Sequence, residues 1–221
     1  NYESLQLSFD KGTNLFYGNN AQGKTNILEA VYLCGTTKSH KGSKDREMIR
    51  FGEEEAHIRM AISRSQSAYE IDMHLKKNRP KGIAVNGVPI RKAAELLGIA
   101  NFVFFSPEDL GIIKNGPAER RRCFIDMELC QLDKLYLHEL SNYNKVIIQR
   151  NKLLKECSFN SQYEEMLDIW DMQLVKYGKK LIESRERFVE ELGVIVAEIH
   201  RNLTGGREEL MVRYEKNVSA D

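Results

Sequence analysis

One short segment of the chain carries residue types whose spacing suits phosphate chemistry. It reads Gly18-Asn19-Asn20-Ala21-Gln22-Gly23-Lys24-Thr25, which matches the phosphate-loop pattern GxxxxGK followed by Ser or Thr. Glycines at both ends let the backbone adopt dihedral angles that a side chain would forbid, so that successive N–H groups point inward at anionic oxygens. Lys24 then reaches the β- and γ-phosphates of a nucleotide, and the Thr25 hydroxyl binds Mg²⁺. The segment predicts a nucleotide site; the alternative is a Gly-rich turn that binds nothing.

A phosphate loop of this kind stands between a strand and a helix, and the flanking residues have those patterns. Residues 14–17 are predicted to form a short strand, and apolar residues alternate over residues 5–9 in the manner of an earlier one. Residues 24–34 have a helical period, and Gly35 is predicted to end that helix. The helix therefore begins at the loop, where the positive end of its dipole adds to the phosphate site.

An antiparallel β layer is predicted after this helix. Apolar residues alternate over residues 56–63 and again over residues 68–76, which predicts the two strands of a hairpin. Asn86-Gly87, between two further apolar stretches, is the strongest short-range signal for a tight hairpin turn. These patterns predict that an antiparallel β layer follows the first helix.

The chain changes character after residue 116 and is predicted to form a helical hairpin. Apolar residues recur at alternating steps of three and four, and the rhythm restarts after a five-residue loop, residues 157–161. Two long helices joined by so short a loop pack antiparallel. Residues 210–212 are expected to begin another strand. The positions predicted to face the partner helix are Tyr136, Leu140, Tyr143, Ile147 and Leu154 in the first helix, and Tyr163, Leu167, Trp170, Leu174, Tyr177, Leu181, Phe188, Leu192, Ile195 and Ile199 in the second.

The charges nearly cancel, but they are distributed unevenly along the chain. Lys and Arg total 33 against 32 Asp and Glu, a net charge of +1. Basic islands occupy residues 38–50 and 76–92, and the second island contains no acidic residue. Such islands either form one patch for nucleic-acid phosphates after folding or remain ordinary solvated loops. The residues assigned to a DNA-binding patch are Lys38, Lys41, Lys44, Arg46, Lys76, Lys77, Arg79 and Lys81.

Composition argues against several other classes of protein. No apolar run approaches the roughly 18–20 residues of a membrane span, and no basic-then-apolar signal segment begins the sequence. The 4 cysteines form no CxxC pair, which argues against a zinc ribbon and indicates a reducing compartment. We therefore expect a cytoplasmic protein without a membrane partner.

A catalytic acid that could hold Mg²⁺ and position water is harder to find. Such an acid usually follows a buried apolar strand. Residues 102–105 are a continuous apolar run, typical of a strand buried on both faces, but Ser106-Pro107 stands between that run and the acids Glu108 and Asp109, which belong to a predicted helical turn. The other two candidates, neither in a convincing context, are Asp126 and Glu198. Catalytic residues are therefore left unassigned.

Several stretches together resemble the RecF family of bacterial recombination-mediator ATPases, which is related to the ABC and SMC classes. The first is the phosphate loop with the residues that follow it. Three later stretches resemble the family in the same order along essentially the whole chain, although Lys41 stands where the family usually has Arg. The stretches are Asn26-Ile27-Leu28-Glu29-Ala30; Ser39-His40-Lys41 with Asp45 and Ile49-Arg50; Phe105-Ser106-Pro107-Glu108-Asp109-Leu110; and Gly116-Pro117 through Arg120-Arg121-Arg122, Phe124-Ile125-Asp126 and Gln149-Arg150-Asn151.

This resemblance implies an α/β fold: an ABC-type P-loop ATPase head, with a mixed sheet and an antiparallel β layer, plus an inserted α-helical arm. It places the ATPase lobe in residues 1–115, the helical arm in residues 116–205 and a return toward the lobe in residues 206–221. In the family, the Walker B acid and the signature motif lie C-terminal to the arm. We therefore expect weak ATPase activity in a complete protein and little or no turnover by this chain.

The resemblance also implies ligands, partners and a biological role. The implied role is ATP-dependent DNA binding in recombinational repair and replication restart, at duplex DNA near single-strand gaps or junctions. ATP binding would drive homodimerisation, with RecO and RecR as partners in loading recombinase. With Thr25 on Mg²⁺ and Asn20 near the γ-phosphate, the implied ATP-binding residues are Gly18, Asn19, Asn20, Ala21, Gln22, Gly23, Lys24, Thr25 and Asn26.

Two alternatives to a repair ATPase remain open. A small-molecule P-loop kinase would share the loop and could use Arg120-Arg121-Arg122 as a lid. Phosphoryl transfer to a small acceptor would identify it. A non-catalytic, SMC-like scaffold with a degenerate nucleotide site is the other alternative, and the intact Gly23-Lys24-Thr25 argues against it.

Overall fold

The computed structural model describes residues 2–40, 42–64, 67–110, 116, 121–157 and 164–218. The chain divides into two units, Asn1–Ser106 and Pro107–Asp221. Within the described ranges, no helix combines the length and the hydropathy that crossing a membrane requires.

The first unit combines one helix with an antiparallel sheet. Helix α1 spans Lys24–Thr36, and the strands are β1 (Glu55–Arg64), β2 (Ser67–Lys76), β3 (Arg79–Val85) and β4 (Val88–Pro89). The strands pair in the order β1-β2-β3-β4, each antiparallel to the next. Two short 3-10 turns, Asp45–Met48 and Ala93–Glu95, flank the sheet in the sequence. The predicted β layer after the first helix is therefore present.

The alternating residues determine the register and the core of this sheet. Ile58 pairs with Met73 and Met60 with Ile71, so both sets of apolar residues lie on one face. On β2, Ile71, Met73 and Leu75 of this face have no exposed surface and form the core with Leu33 and Cys34 of α1. The second predicted hairpin is also confirmed, because its turn residues Asn86 and Gly87 have φ of 51° and 77°.

Burial also decides the chemical state of the one cysteine in this core. Cys34 has no exposed surface, and burial, with a smaller contribution from the charge of Asp72, raises the pKa of its thiol to about 12. The thiol is therefore protonated at neutral pH and packs as a small apolar side chain.

Helix α1 does not end where the sequence predicted. It continues through Gly35 to Thr36, and Thr37 caps it in the left-handed conformation with φ of 63°. A Cβ added at Gly35 would overlap the ring of Phe102. Gly35 therefore serves close packing rather than termination, and the prediction that it ends the helix was wrong.

Four predicted strands are not formed. Residues 5–9, 14–17, 102–105 and 210–212 have no strand assignment, although each lies within the described residues. A strand is stable only where a neighbouring backbone completes its hydrogen-bond ladder, and in the part of the chain that the structure describes the sheet consists of β1 to β4. Residues 102–105 are also not buried on both faces, since Val103 and Phe105 are 87% and 78% exposed.

The second unit is helical. The predicted turn after Ser106 is a 3-10 helix over Pro107–Leu110, and a π-helical segment, Arg121–Asp126, leads into α2 (Met127–Leu132). Helices α3 (Lys134–Cys157) and α4 (Glu164–Thr204) follow, while the predicted connecting loop falls almost wholly on residues 158–163, outside the described residues.

The two long helices lie antiparallel, as predicted. Arg150, late in α3, forms an ion pair with Asp171, early in α4. In the opposite sense, Glu139, early in α3, accepts a hydrogen bond from Lys180, further along α4, at 2.6 Å. The helical hairpin predicted from the apolar period is therefore confirmed.

The base of this hairpin contains a buried polar cluster that the apolar period did not predict. Arg185 donates two hydrogen bonds to Asp126, at 2.9 and 3.1 Å, and the Tyr136 hydroxyl donates to the same carboxylate at 2.5 Å. Burial, together with the hydrogen bond to Asp126, raises the pKa of Tyr136 well above its ordinary value. The bidentate pair ties the π-helical segment to α4, and the Tyr136 hydroxyl ties it to α3.

The inward-facing stripe drifts from its predicted positions along these helices. Val146 and Leu153 are the buried residues in the second half of α3, and the predicted Leu154 is 38% exposed. In α4, the predicted Ile195 and Ile199 are 56% and 52% exposed. Alternating steps of three and four average 3.5 residues a turn against 3.6 for a straight helix, so a strict stripe rotates away from the partner by about 20° per heptad.

Candidate nucleotide and nucleic-acid sites

The phosphate loop has the backbone conformation that its glycines were expected to allow. Gly18 and Gly23 have φ of 141° and 92°, and Ala21 between them has φ of 63°. Gly23 is also the N-cap of α1, with its carbonyl accepting the first helical hydrogen bond from Asn26 at 2.9 Å. The loop therefore leads directly into a helix N-terminus, where N–H groups without intrahelical partners attract an anion.

Lys24 already points into this loop. Its Nζ donates hydrogen bonds to the carbonyl oxygens of Gly18, at 2.8 Å, and Asn19, at 2.6 Å. Thr25 and Asn26 lie exposed in the first turn of α1, where a phosphate and its metal ion could reach them. The loop thus presents one ammonium group, a hydroxyl and a helix start to the same point, which fits a Mg²⁺-bound polyphosphate.

A cavity of about 660 Å³ adjoins the phosphate loop. The loop contributes Ala21 and Gln22 to its wall, and α1 contributes Asn26 and Glu29. The opposite wall comes from the 3-10 turn and the residues after it, through Phe51. The volume lies in the range of small-molecule sites. No sequence motif pointed to this cavity, because its walls come from segments that are far apart in the chain.

The two basic islands meet in a second cavity of about 440 Å³. Three segments line it: the residues that follow α1, the first half of the 3-10 turn, and the β2–β3 hairpin. The predicted Lys41 lies outside the described residues. All seven other residues assigned to a DNA-binding patch line this cavity: Lys38, Lys44, Arg46, Lys76, Lys77, Arg79 and Lys81.

The folded chain brings carboxylates to the island that has none in sequence. Lys81 donates to Asp45 at 2.8 Å and to the Thr37 carbonyl at 2.6 Å. Lys77 pairs with Glu54 at 2.8 Å. Lys81 therefore joins two walls of the cavity as a structural ion pair, and the more exposed cations, such as Arg79, are better placed for a ligand.

The walls of the two cavities share one turn and a hydrogen bond. The 3-10 turn Asp45–Met48 gives its first two residues to the basic cavity and its last two to the cavity beside the loop. Ser39, in the wall of the basic cavity, donates a 2.5 Å hydrogen bond to Glu29, in the wall of the other. The two cavities therefore share one turn and are bridged by a side-chain hydrogen bond.

None of the catalytic-acid candidates has a suitable environment in the described residues. Asp126 is 14% exposed and is engaged by Arg185 and Tyr136, while Glu198 lies exposed on α4. The Glu108 side chain is outside the described part, and Asp109 follows no strand. The described residues also contain no group of three or more His, Cys, Asp or Glu that could hold a metal ion. The catalytic residues stay unassigned.

A phosphate loop at the start of a helix, followed by an antiparallel β layer and a helical hairpin, defines the class of P-loop nucleotide-binding domains. The model of the AAA domain family matches residues 1–192. The chain is 62% identical to the DNA replication and repair protein RecF of Agathobacter rectalis, over 99% of this chain and 60% of that protein. It is 60% identical to RecF of Lachnospira eligens, over the whole of this chain and 61% of that protein.

The solved structures agree with these sequence matches. A structure described as the recombination mediator protein RecF-ATP in the RecFOR pathway superposes with a TM-score of 0.84, at 37% identity, over 90% of this chain and 53% of that one. The matching RecF-ATPrS structure gives a TM-score of 0.83. The chain belongs to the AAA domain family. Over nearly its whole length it matches RecF proteins, and it spans about 60% of the length of the curated relatives it matches. The predicted fold class, an ABC-type P-loop ATPase head with a helical arm, is thereby confirmed.

Proposed function

We propose that this chain is the ATP-binding part of a DNA-binding ATPase of recombinational repair. The observation that carries the proposal is Lys24, whose ammonium group lies in the mouth of a phosphate loop that opens onto a cavity of about 660 Å³. The name of one solved relative, RecF-ATP, supports ATP as the nucleotide. In this proposal the phosphates bind the loop residues 18–25 with Asn26, Thr25 holds Mg²⁺, Asn20 approaches the γ-phosphate, and the cavity receives the nucleoside.

The basic cavity is the proposed contact with DNA. Its cations would neutralise backbone phosphates, which gives affinity without sequence preference and a strong dependence on salt. The hydrogen bond from Ser39 to Glu29 and the shared 3-10 turn support a link between nucleotide binding and DNA binding. Gapped or junction DNA, ATP-driven homodimerisation, RecO and RecR, and a cytoplasmic location belong to the proposal through the family, as does the division at residues 115 and 205.

The proposal includes little or no hydrolysis by this chain. ATP would bind to the loop, but the described residues offer no acid placed to hold the metal ion and the attacking water together. Turnover would require such an acid from elsewhere in a complete protein or from a second subunit. In this proposal the chain therefore binds and orients the phosphates of ATP.

The test measures both ligands on the same sample. Binding of ATP with Mg²⁺ is measured by calorimetry, and binding of a fluorescent gapped duplex is measured by anisotropy, with and without ATP. We expect ATP to bind and the duplex to bind more tightly in its presence. The proposal fails if ATP does not bind, or if the affinity for the duplex is the same at every salt concentration. Transfer of phosphate to a small acceptor would instead support a kinase.

A further inference from the structure

We propose that Tyr2 is a positioning residue that holds the phosphate loop in its nucleotide-binding shape. This inference rests on the proposed function of the loop. Tyr2 is 20 residues from its hydrogen-bond partner in the loop, and its role is independent of the motif that identified the loop. It would act on the phosphates through the backbone of residues 22 and 23.

The first contact is a hydrogen bond to the loop backbone. The Tyr2 hydroxyl donates to the carbonyl oxygen of Gln22 at 3.0 Å. Gln22 directly precedes Gly23, the N-cap of α1, so the bond fixes the peptide plane at which the loop turns into the helix. A phenol is well suited to this task because its hydroxyl is carried on a rigid ring with few rotamers.

The second contact is packing of the ring edge on Gly23. A Cβ added at Gly23 would lie 2.8 Å from Cε2 and 2.9 Å from Cζ and Oη of Tyr2. Gly23 is buried, although residues 18–22 of the loop are exposed. Two features therefore disfavour a side chain at this position: the φ of 92°, and the ring of Tyr2 that covers it.

These contacts hold a conformation that the loop would not keep by itself. Ala21, with φ of 63°, has a left-handed conformation that is unfavourable for a residue with a Cβ. Such conformations persist where surrounding structure over-determines them, and they concentrate at ligand sites. Tyr2 supplies that structure next to the strained residue, so the loop is organised before a phosphate arrives.

Tyr2 also lines the cavity beside the loop, so a direct contact with the nucleobase has to be distinguished from positioning. The hydroxyl is already engaged by the Gln22 carbonyl, which favours positioning. The two roles differ in one measurable respect. A positioned loop matters equally for any ligand that binds through its phosphates, whereas a base contact matters only for a ligand that has a base.

The experiment therefore compares two probes, ATP and inorganic tripolyphosphate, each with Mg²⁺, by calorimetry. Tyr2→Phe removes only the hydroxyl, and we expect it to weaken both probes by the same factor, about 3–10-fold for one hydrogen bond. Tyr2→Ala also removes the ring, and we expect a larger, again equal, loss. Tyr17→Phe is the matched control, because Tyr17 precedes the loop but is 87% exposed, and we expect no change.

Each outcome decides the inference. Equal losses for both probes, with unchanged melting temperature in Tyr2→Phe, support positioning. Loss of affinity for ATP alone would overturn it in favour of a base contact, and wild-type affinities in both Tyr2 variants would overturn it outright. If the unmodified chain binds neither probe, the proposed function fails and this inference fails with it. If the unmodified chain binds both probes, a failure of the Tyr2 prediction leaves the proposed function standing.

Discussion

The phosphate loop and the basic cavity belong to the same unit but are built in different ways. The loop consists of consecutive residues, whose backbone angles at Gly18, Ala21 and Gly23 shape the site with support from Tyr2. The basic cavity combines three segments, and an ion pair between Lys81 and Asp45 joins two of them across 36 residues. A local site of this kind depends on few tertiary contacts, whereas an assembled site depends on the whole fold of its unit.

The largest expected effect tests whether the two sites are functionally separate. Lys24→Ala removes the ammonium group from the loop, and we expect ATP affinity to fall on the order of 100-fold, since hydrogen bonds to charged groups contribute about 1.5–3 kcal/mol. DNA affinity without ATP should not change, because Lys24 does not line the basic cavity. Calorimetry and anisotropy measure the two affinities.

The matched control for this experiment is Lys11→Ala, which removes an exposed lysine from the same unit. We expect it to leave both affinities unchanged. Wild-type ATP affinity in Lys24→Ala would contradict the assignment of the loop, and an equal loss of DNA affinity without ATP would contradict the separation of the two sites.

The second prediction asks whether position in space or position in sequence defines the DNA contact. Lys44→Ala with Arg79→Ala neutralises two exposed cations from different segments of the cavity. We expect the slope of log affinity against log salt to fall by about two, roughly one for each lost phosphate contact, with ATP affinity unchanged. Anisotropy titrations at several salt concentrations measure the slope.

The control for this prediction comes from the same basic island. Arg91 and Lys92 are in the 76–92 island but do not line the cavity. Changing both to Ala should leave the salt slope close to that of the unmodified chain. If this control lowers the slope as much as the cavity variant does, the contact is a diffuse basic surface and the cavity is not the site.

The third prediction concerns helix α1, which serves both sites. The helix begins at the phosphate loop, and the residues after its end line the basic cavity. Gly35→Ala forces a methyl group into the ring of Phe102, and we expect a loss of about 1–3 kcal/mol in the free energy of unfolding, as for other overpacked cores. Urea denaturation measures this loss.

A helical glycine in the other unit supplies the control for that measurement. A Cβ added at Gly178 would meet Cε2 of Tyr143 at 3.4 Å, so Gly178→Ala requires only a small adjustment. We expect its effect to be within about 1 kcal/mol, because the gain in helix propensity offsets the tight contact. Equal stability of Gly35→Ala and the unmodified chain would show that Phe102 does not pack on α1 as the structure has it.

The smallest expected effect is at the ion pair inside the basic cavity. Asp45→Asn removes the charge that faces Lys81, and both side chains are partly exposed, at 32% and 19%. We expect stability to change by less than about 1 kcal/mol, because such pairs contribute little. DNA affinity should rise slightly, since the cavity loses its acidic side chain. A fall in DNA affinity would instead show that this pair holds the cavity in shape.

The loop, the hairpins and the long helices could be predicted because each depends on residues that are close in sequence. The motif fixes the chemistry of residues 18–25, alternation fixes the faces of β1 and β2, and Asn86-Gly87 fixes a turn through its own dihedral angles. The helical period identified α3 and α4 in the same way, although the buried stripe drifted where the true period exceeded the assumed one.

Strand pairing and close packing could not be predicted in this way. An apolar run such as residues 102–105 has the composition of a strand, but only a neighbouring backbone makes it one. From the sequence alone, Gly35 is interpreted as the end of a helix. The structure shows that a glycine is required there by the ring of Phe102, which lies 67 residues further along the sequence. In both cases the decisive atoms belong to a distant part of the chain.

For this chain, the sequence by itself determined the phosphate loop, the two β-hairpins, the two long helices and the family resemblance. Only the tertiary structure decided that two basic islands form one cavity, that Asp45 engages Lys81, and that Tyr2 covers Gly23. The physical reason is the range of the forces involved. Backbone angles and periodicity act between near neighbours in the chain, whereas ion pairs and packing act between neighbours in space.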